Sequence, residues 1–268
     1  MTITSALFGE FPEHWLMEPG ERMAFIGLLS GLRPRLAIEI GTCLGGSLAV
    51  ISKFASEIYS LDISPEVAEN LRDRFPGVHF LTGDSGKLFP ELLARLASEG
   101  ETPDFVLIDG DHSEYGVRLD ILPLLDVRPL APLYVVLHDS FNPVVRRAIG
   151  AIPWNDSPYF QSLEMDFVPG TMFEGRHDCC HPVLTDGDVR RSMFNGLAVA
   201  LFSPEPRSAG EKGPIVVRQQ LVFNACLPAS VHKVDILINW REKVRAHPLG
   251  KYVVAVKRFF YKGNLRRA

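Results

Sequence analysis

One segment constrains the fold of this chain more than any other: a short apolar run leads into a glycine-rich turn, and a helical pattern follows. The run covers residues 37–40, the turn contains Gly41, Gly45 and Gly46, and the helical pattern begins at Ser47. Gly41 allows a tight turn out of a strand, and the other two glycines let a ligand approach the backbone where a Cβ would collide. The segment therefore predicts a strand, a ligand-binding loop and a helix.

Patterns of strand and helix alternate from this segment to about residue 150, which is typical of a parallel sheet covered by helices on both faces. Apolar runs at residues 158–168 and 196–203 predict the last two strands. The predicted fold class is therefore α/β, with a doubly wound, mostly parallel, Rossmann-like sheet of seven strands. Residues 18–32 carry an amphipathic helical pattern before the first strand, and we expect this helix to cover the open side of the ligand site.

The chain divides into three predicted parts: an N-terminal helical cap (1–34), a central ligand-binding domain (35–203) and a C-terminal extension (204–268). Residues 169–195 are rich in Gly, Pro and Asp and are long for a hairpin, so we interpret them as a lid inserted into the central domain. The basic, aromatic segment 251–268 has the composition to meet an anionic membrane surface or RNA. We favour docking on its own domain or on a partner subunit.

Acidic side chains stand in or after the predicted strands. Glu39 lies inside the first apolar strand, where an unpaired carboxylate costs roughly several kcal/mol, so it requires a cationic or hydrogen-bonding partner. Asp62 ends the second strand about twenty residues after the loop, which is the spacing of a ribose-binding acid behind a nucleotide loop. Asp62 or Ser64 is alternatively the cap of the next helix, and the two roles are compatible.

Three further positions follow later strands. Asp84 and Ser85 come after the third strand, where they either border a bound base or cap the helix that begins there. Asp109 closes the fourth strand at the carboxyl edge, where open α/β sheets bind their ligands.

The loop departs from the dinucleotide fingerprint, because Cys43 stands where that fingerprint has its second glycine. The spacing from Glu39 to Ser47 instead resembles the first motif of class I S-adenosylmethionine-dependent methyltransferases, especially the catechol O-methyltransferase-like and macrolide-sugar O-methyltransferase-like branches. The resemblance covers about residues 35–140. It implies a central domain that binds S-adenosylmethionine.

The resemblance also implies a set of cofactor-binding residues, which are Glu39, Gly41, Gly45, Ser47, Asp62, Asp84, Ser85 and Asp109. In relatives, the positions of Glu39 and Gly41 lie beside the methionine part, and that of Ser47 reaches its carboxylate. The position of Asp62 holds the ribose, and the loop at 84–85 borders the adenine.

The segment Asp109–Asp120 resembles the D-G-D-H-S-Y-E-G-V-x-x-D signature of sugar and natural-product methyltransferases. Glu114 and Tyr115 stand in the reverse of the usual order. Two carboxylates and an imidazole within four residues are costly unless they bind something, so the segment predicts a functional site.

The predicted reaction is O-methyl transfer, in which the enzyme mainly supplies an oriented and deprotonated hydroxyl. The candidate catalytic residues are Asp109 and two histidines, His112 and His138. A histidine titrates at about 6.5, so either one can take the proton near neutral pH. The resemblance places His112 at the position of the catalytic lysine of the catechol enzymes, and His138 is the rival base.

A divalent cation is a further expectation. Asp109 and Asp139 lie at one sheet edge together with His138, and carboxylates there suit Mg²⁺. Relatives carry an acid where this chain has His138, and imidazole suits softer divalent ions better. In the alternative, Asp139 caps the helix that begins near Pro143, and His138 is a packed strand end.

A second histidine cluster, in the predicted lid, contains His177, Cys179, Cys180 and His181. Adjacent cysteines lack the two paired spacings of a structural zinc site, so we expect a loop without metal. Contact of His177 or His181 with the substrate is a further hypothesis.

Composition excludes several classes. A net charge of −4 over 268 residues argues against broad nucleic-acid binding, which needs a basic face. No apolar run approaches the roughly eighteen residues of a membrane span, and the first residues do not resemble a signal peptide. Four cysteines are too few for a disulfide framework, which predicts a reducing cytoplasm.

The predicted function is therefore methylation of a hydroxyl on a sugar, polyketide or polyphenol, as in natural-product biosynthesis. The partners would be a small-molecule substrate and a second copy of the chain, bound through the terminal extensions. The alternatives are an NAD-dependent oxidoreductase, which Cys43 disfavours, and a non-catalytic S-adenosylmethionine-binding protein, with which His138 in place of an acid is consistent.

Overall fold

The computed structural model describes residues 15–174, 184–186 and 189–218. Its α-helices are α1 (Pro19–Leu32), α2 (Gly46–Phe54), α3 (Pro65–Leu71), α4 (Ser85–Ser98), α5 (Glu114–Ile121) and α6 (Pro143–Gly150). Its strands are β1 (Leu36–Ile40), β2 (Glu57–Asp62), β3 (Val78–Thr82), β4 (Phe105–Ile108), β5 (Leu133–His138), β6 (Phe160–Val168), β7 (Thr171–Glu174), β8 (Leu184–Asp186), β9 (Val189–Phe194), β10 (Leu197–Phe202) and β11 (Ile215–Val216). Across these ranges, no helix has both the length and the apolar character needed to cross a bilayer.

Eight strands form the main sheet, in the order β11, β6, β10, β5, β4, β1, β2, β3. The five strands from β5 to β3 run parallel to one another, whereas β10 is antiparallel to both β5 and β6. The doubly wound, mostly parallel α/β fold is therefore confirmed. The predicted last two strands are β6 and β10.

The predicted count of seven strands is wrong. The eighth strand is β11, which pairs in parallel with β6 at the sheet edge. It contains only Ile215 and Val216, and a strand of two residues is too short to show the alternating pattern by which longer strands are recognised.

The central strand β1 is buried on both faces, as expected for the middle of a parallel sheet. Leu36, Ile38 and Ile40 pack in one core cluster with residues of α4, α5 and α6. Ala37 packs in a second cluster with residues of α1 and α2. Because side chains alternate along a strand, Glu39 shares the face of Ala37 and is directed toward α1 and α2.

A second sheet lies between β6 and β10 in sequence. It is antiparallel and has the strand order β7, β9, β8. It falls within the interval 169–195, whose role as a lid stays a prediction. The candidate zinc cluster at 177–181 and the basic segment 251–268 lie outside the described residues.

Helix α1 corresponds to the amphipathic helix predicted at 18–32. Its buried residues are Glu21, Phe25 and Leu29, which stand four apart and therefore share one helix face. The Phe25 ring packs edge-on against Trp15, with centroids 6.0 Å apart, and against Phe105 of β4, with centroids 5.8 Å apart. These contacts dock α1 on the sheet.

We expect Phe25→Ala to lower the free energy of unfolding by about 3–5 kcal/mol, because it leaves a cavity between α1 and the sheet. Met23→Ala is the control on the same helix, since Met23 is 54% exposed, and should change that free energy by no more than about 0.5 kcal/mol. Urea denaturation followed by circular dichroism measures both. Equal, small effects would contradict the docking of α1.

Candidate active site

A buried carboxylate ends the first strand. Glu39 is fully buried, and its Oε1 accepts a hydrogen bond of 2.5 Å from the Ser47 hydroxyl in the first turn of α2. Its Oε2 has no hydrogen-bond partner among the described residues. Burial raises the pKa of Glu39 to about 7, although the Ser47 hydrogen bond opposes this shift. A buried oxygen without a partner suits a cationic group of a ligand.

The glycines after β1 have three different surroundings. Gly41 has φ of 90°, and a Cβ there would overlap the backbone carbonyl of Asp109, so only glycine lets the ends of β1 and β4 approach. Gly45 has φ of 84° and precedes the first residue of α2. Beside Gly46, a Cβ would lie 2.6 Å from the Cβ of Trp15. Trp15, and not a ligand, therefore occupies the space at Gly46.

Ser47 is buried and donates to Glu39. Its contact with the cofactor's carboxylate, which the resemblance implies, stays a prediction. An internal partner for Glu39 is what the buried position of that acid requires.

Asp62 ties the loop to the end of β2. Its Oδ2 accepts from the backbone N–H of Cys43 at 2.9 Å, and its Oδ1 accepts from the backbone N–H of Ser64 at 2.9 Å. Ser64 occupies the N-cap position of α3, but its side chain makes no capping hydrogen bond. A carboxylate oxygen has two lone pairs, so both oxygens of Asp62 retain acceptor capacity for ribose hydroxyls.

At the start of α4, the capping alternative is observed. Asp84 is the N-cap residue and accepts from the backbone N–H of Gly86 at 3.0 Å. Burial raises the pKa of Asp120 to about 7, and neither carboxylate oxygen of Asp120 has a hydrogen-bond partner among the described residues. Contact of Asp84 and Ser85 with adenine stays a prediction.

Asp109 is the centre of the site. Its Oδ1 lies 3.1 Å from His112 Nε2 and 2.9 Å from His138 Nδ1. The opposite ring nitrogens meet two other acids: His112 Nδ1 lies 3.1 Å from Asp139 Oδ2, and His138 Nε2 lies 3.3 Å from Glu21 Oε1. The five side chains form a row in which carboxylates and imidazoles alternate.

The row determines the protonation of its members. Burial alone would raise the pKa of Asp109, but the nearby His138 charge and the hydrogen bonds from His112 and His138 lower it below its usual value. For both histidines, burial opposes protonation, yet the carboxylates outweigh it. The pKa of His112 is raised, and that of His138 is raised well above its usual value. The acids therefore favour the charged form of both imidazoles.

Asp139 has an unusual backbone conformation. Its φ is 57°, in the left-handed region that is costly for residues other than glycine. The Asp139 Oδ1 accepts from the backbone N–H of Asn195 at 2.5 Å, which fixes this conformation. The cap of α6 is Asn142, which accepts from the N–H of Val144, so the alternative in which Asp139 caps this helix is wrong.

Two other acids of the Asp109–Asp120 segment, Asp111 and Glu114, have structural partners. Asp111 accepts from the backbone N–H of Ser113 at 2.9 Å. Glu114 pairs with Arg147 of α6 at 3.1 Å, and Tyr115 is 59% exposed. The reversed order of these two residues thus places the acid against α6 and the ring toward solvent.

The comparisons with known proteins agree on one class. Residues 38–140 match a family model described as a methyltransferase domain. The rhamnosyl O-methyltransferases of Mycobacterium bovis and Mycobacterium tuberculosis are each 32% identical over 122 residues, which is 42% of this chain and 49% of theirs. The chain therefore spans about half the length of the curated relatives it matches.

Residues 38–140, less than half of the chain, are therefore similar to a methyltransferase domain.

Two solved structures are similar at a lower level. The O-methyltransferase from Bacillus cereus in complex with SAH has 16% identity and a TM-score of 0.44, over 75% of this chain and 86% of that one. The N-methyltransferase NodS from Bradyrhizobium japonicum has 13% identity and a TM-score of 0.42, over 70% of this chain and 98% of that one. Similarity of this degree identifies no acceptor.

The sequence analysis missed two side chains that contact the site. Glu21 and Trp15 precede residue 38, where the family match begins, yet Glu21 contacts His138 and Trp15 packs beside Gly46. The sequence contained one signal for Glu21. It stands four residues before Phe25, so a helix places it on the same apolar face of α1.

We expect Gly41→Ala to destabilise the methyltransferase domain by at least about 2 kcal/mol, because the new Cβ would overlap the Asp109 carbonyl in a left-handed backbone conformation. Gly77→Ala is the matched control, since nothing lies within 4 Å of a Cβ at that position. Chemical denaturation measures both variants. Unchanged stability of Gly41→Ala would mean that β1 and β4 do not approach as described.

Proposed function

We propose that this protein transfers the methyl group of S-adenosylmethionine to a hydroxyl oxygen of a small molecule. The observation that carries the proposal is Glu39 Oε2, a buried carboxylate oxygen without a hydrogen-bond partner among the described residues. It stands beside the Gly41 turn, and the α-ammonium group of the cofactor's methionine part would supply the missing donor. Asp62, at the end of the neighbouring strand, would accept from the ribose.

The cofactor assignment predicts a pH dependence. The pKa of Glu39 is raised to about 7 without ligand, and an ammonium partner would lower it because it favours the charged carboxylate. Binding therefore releases a proton at pH 6, and affinity for S-adenosylhomocysteine should rise as pH increases toward 7 and level off above it. Calorimetry in buffers of different ionisation enthalpy measures the proton release.

In Glu39→Gln, which keeps the size of the side chain, this pH dependence should disappear. NAD is the comparison ligand, because an oxidoreductase would bind it. Tight binding of NAD without binding of S-adenosylhomocysteine would overturn the proposal. Against NAD, Cys43 occupies the position of the fingerprint's second glycine, and its backbone N–H already donates to Asp62.

The acceptor is proposed to be a sugar hydroxyl, since the curated relatives are rhamnosyl O-methyltransferases. Polyketide and polyphenol hydroxyls are the other members of the proposed class. Rhamnose-containing glycosides are the first acceptors to assay with methyl-labelled cofactor. The Asp109 row supports catalysis over mere cofactor binding, because its titratable groups are arranged for proton transfer.

We assign the role of base to His112. Its side chain is 32% exposed, whereas that of His138 is 7% exposed and lies between Asp109 and Glu21. A base must reach the hydroxyl within hydrogen-bond distance. In its neutral form, which is populated as pH rises through its raised pKa, His112 would take the hydroxyl proton on one ring nitrogen while a carboxylate orients the ring through the other nitrogen. The oxygen attacks the methyl carbon as the bond from that carbon to the cofactor's sulfur breaks. His138 would fix Asp109.

We expect His112→Gln to lower kcat by about 10²- to 10⁴-fold and to leave the affinity for S-adenosylhomocysteine within about threefold of wild type. His79→Gln is the control, because His79 is an exposed histidine on β3. Initial rates of transfer to the accepted glycoside measure kcat. A variant His112→Gln with wild-type kcat would exclude His112 as the base.

A divalent cation is the second candidate for this site. Asp109, His112 and His138 each offer one ligand atom, and these atoms lie within 4.8 Å of one another, whereas the sequence had suggested Asp109, Asp139 and His138. One oxygen and two nitrogens fit Zn²⁺ or Mn²⁺ better than Mg²⁺, which prefers oxygen. Such an ion would lower the pKa of the substrate hydroxyl. His112 cannot be ligand and base together, so unchanged kcat after chelation supports the base.

The wider organisation completes the proposal. Residues 35–203 would be the methyltransferase domain, with 169–195 as its lid, 1–34 as a cap and 204–268 as an extension that contacts a second copy of the chain. The reaction would take place in the cytoplasm with a small-molecule substrate. Cys43 is a free thiol, and the other three cysteines lie outside the described residues.

A further inference from the structure

We propose that Glu21 of helix α1 is a positioning residue of the active site, which orients His138 and, through it, Asp109. The inference rests on the proposed function, because the oriented group belongs to the methyl-transfer site. Glu21 lies outside the segment that matches the methyltransferase family model, and its role follows from its contacts alone.

Glu21 is a buried acid whose contacts are all N–H groups. It is 1% exposed. Its Oε1 accepts from the backbone N–H of Gly196 at 2.6 Å and lies 3.3 Å from His138 Nε2, and its Oε2 accepts from the backbone N–H of Glu18 at 2.7 Å. A buried carboxylate is tolerated only when its oxygens are bonded in this way.

The position of Glu21 is set by the core. It continues the buried face of Phe25 and Leu29 by one helical turn, and both of these residues are fully buried. His138 shares its side of the sheet with Val136 of β5, which packs in the same core cluster as Phe25. Helix packing therefore brings the acid to the imidazole.

The contact selects the orientation of the imidazole ring. His138 Nδ1 lies 2.9 Å from Asp109 Oδ1, and the Glu21 carboxylate lies 3.3 Å from the opposite nitrogen, as an ion-pair neighbour outside hydrogen-bond geometry. An acceptor on one nitrogen of a histidine fixes which nitrogen is presented to the functional group on the other side. Without Glu21, the ring is free to rotate and Asp109 loses a fixed partner.

Glu21→Gln tests this role, because an amide cannot accept from N–H groups on both of its ends. Glu18→Gln is the matched control, because it removes the same charge from the same capping box. Glu18 stands three residues before Glu21 and is exposed. We expect Glu21→Gln to lower kcat by about 10- to 100-fold, with affinity for S-adenosylhomocysteine within about threefold of wild type. Glu18→Gln should match wild type in both.

A readout without turnover separates positioning from stability. In ¹⁵N-histidine NMR spectra, assigned with His138→Gln, the His138 ring nitrogens should shift in Glu21→Gln and not in Glu18→Gln. Unchanged His138 signals together with wild-type kcat would overturn the inference. If Glu21→Gln does not fold, Glu21→Asp keeps the charge but withdraws the carboxylate from His138 by one methylene, so signals identical to wild type with wild-type kcat would equally overturn the inference.

The proposed function and the role of Glu21 can be refuted independently of each other. If the wild-type protein does not bind S-adenosylhomocysteine, the cofactor assignment is wrong, whereas the His138 signals still report whether Glu21 orients the ring. If it binds and the Glu21 variants keep both kcat and the His138 signals, the role of Glu21 is wrong and the function stands.

Discussion

The alternation of side chains along parallel strands decides which groups meet at this site. Ala37 and Glu39 of β1, Leu107 of β4 and Val136 of β5 share one face of the sheet. The same alternation directs Asp109 and His138 to that face at the carboxyl edge. Three ionisable groups therefore stand at the end of an apolar layer, where each requires a partner. Ser47 of α2 is the partner of Glu39 and Glu21 of α1 lies beside His138, whereas Asp109 pairs with His138 and His112.

This constraint explains why Glu39 and His138 have different kinds of partner. Glu39 Oε1 accepts a hydrogen bond from Ser47 of α2, and Glu39 Oε2 has no partner within hydrogen-bond geometry among the described residues. His138 has a carboxylate near each ring nitrogen, one from Asp109 and one from Glu21. Within the described part of the chain, Glu39 retains capacity for a ligand, whereas His138 lies between two carboxylates, of which Asp109 is within hydrogen-bond geometry and Glu21 is an ion-pair neighbour. The cofactor and the reacting hydroxyl thus meet two different kinds of environment.

Local patterns predicted the elements of the fold and the acids that follow them, because a glycine turn and a strand end are properties of adjacent residues. The loop at Gly41 and the helix at 18–32 are such cases. The contact of Glu21 with His138 and that of Trp15 with the loop depend on how α1 docks, which no local pattern specifies. The inward orientation of Ser47 and the short strand β11 likewise depend on neighbours distant in sequence.

The histidine at 138 changes the chemistry that the sheet edge allows. With an acid at this position, three carboxylates would stand together: that acid, Asp109 and Asp139. Their mutual repulsion would require a bound cation. With an imidazole, the charges alternate along the row from Glu21 to Asp139, so protein groups alone can balance them. If the two imidazoles bound a divalent ion, the carboxylates at the ends of the row, Glu21 and Asp139, would also orient them. Glu21 is therefore required by either chemistry, which makes the N-terminal helix a functional part of the site and not only its cover.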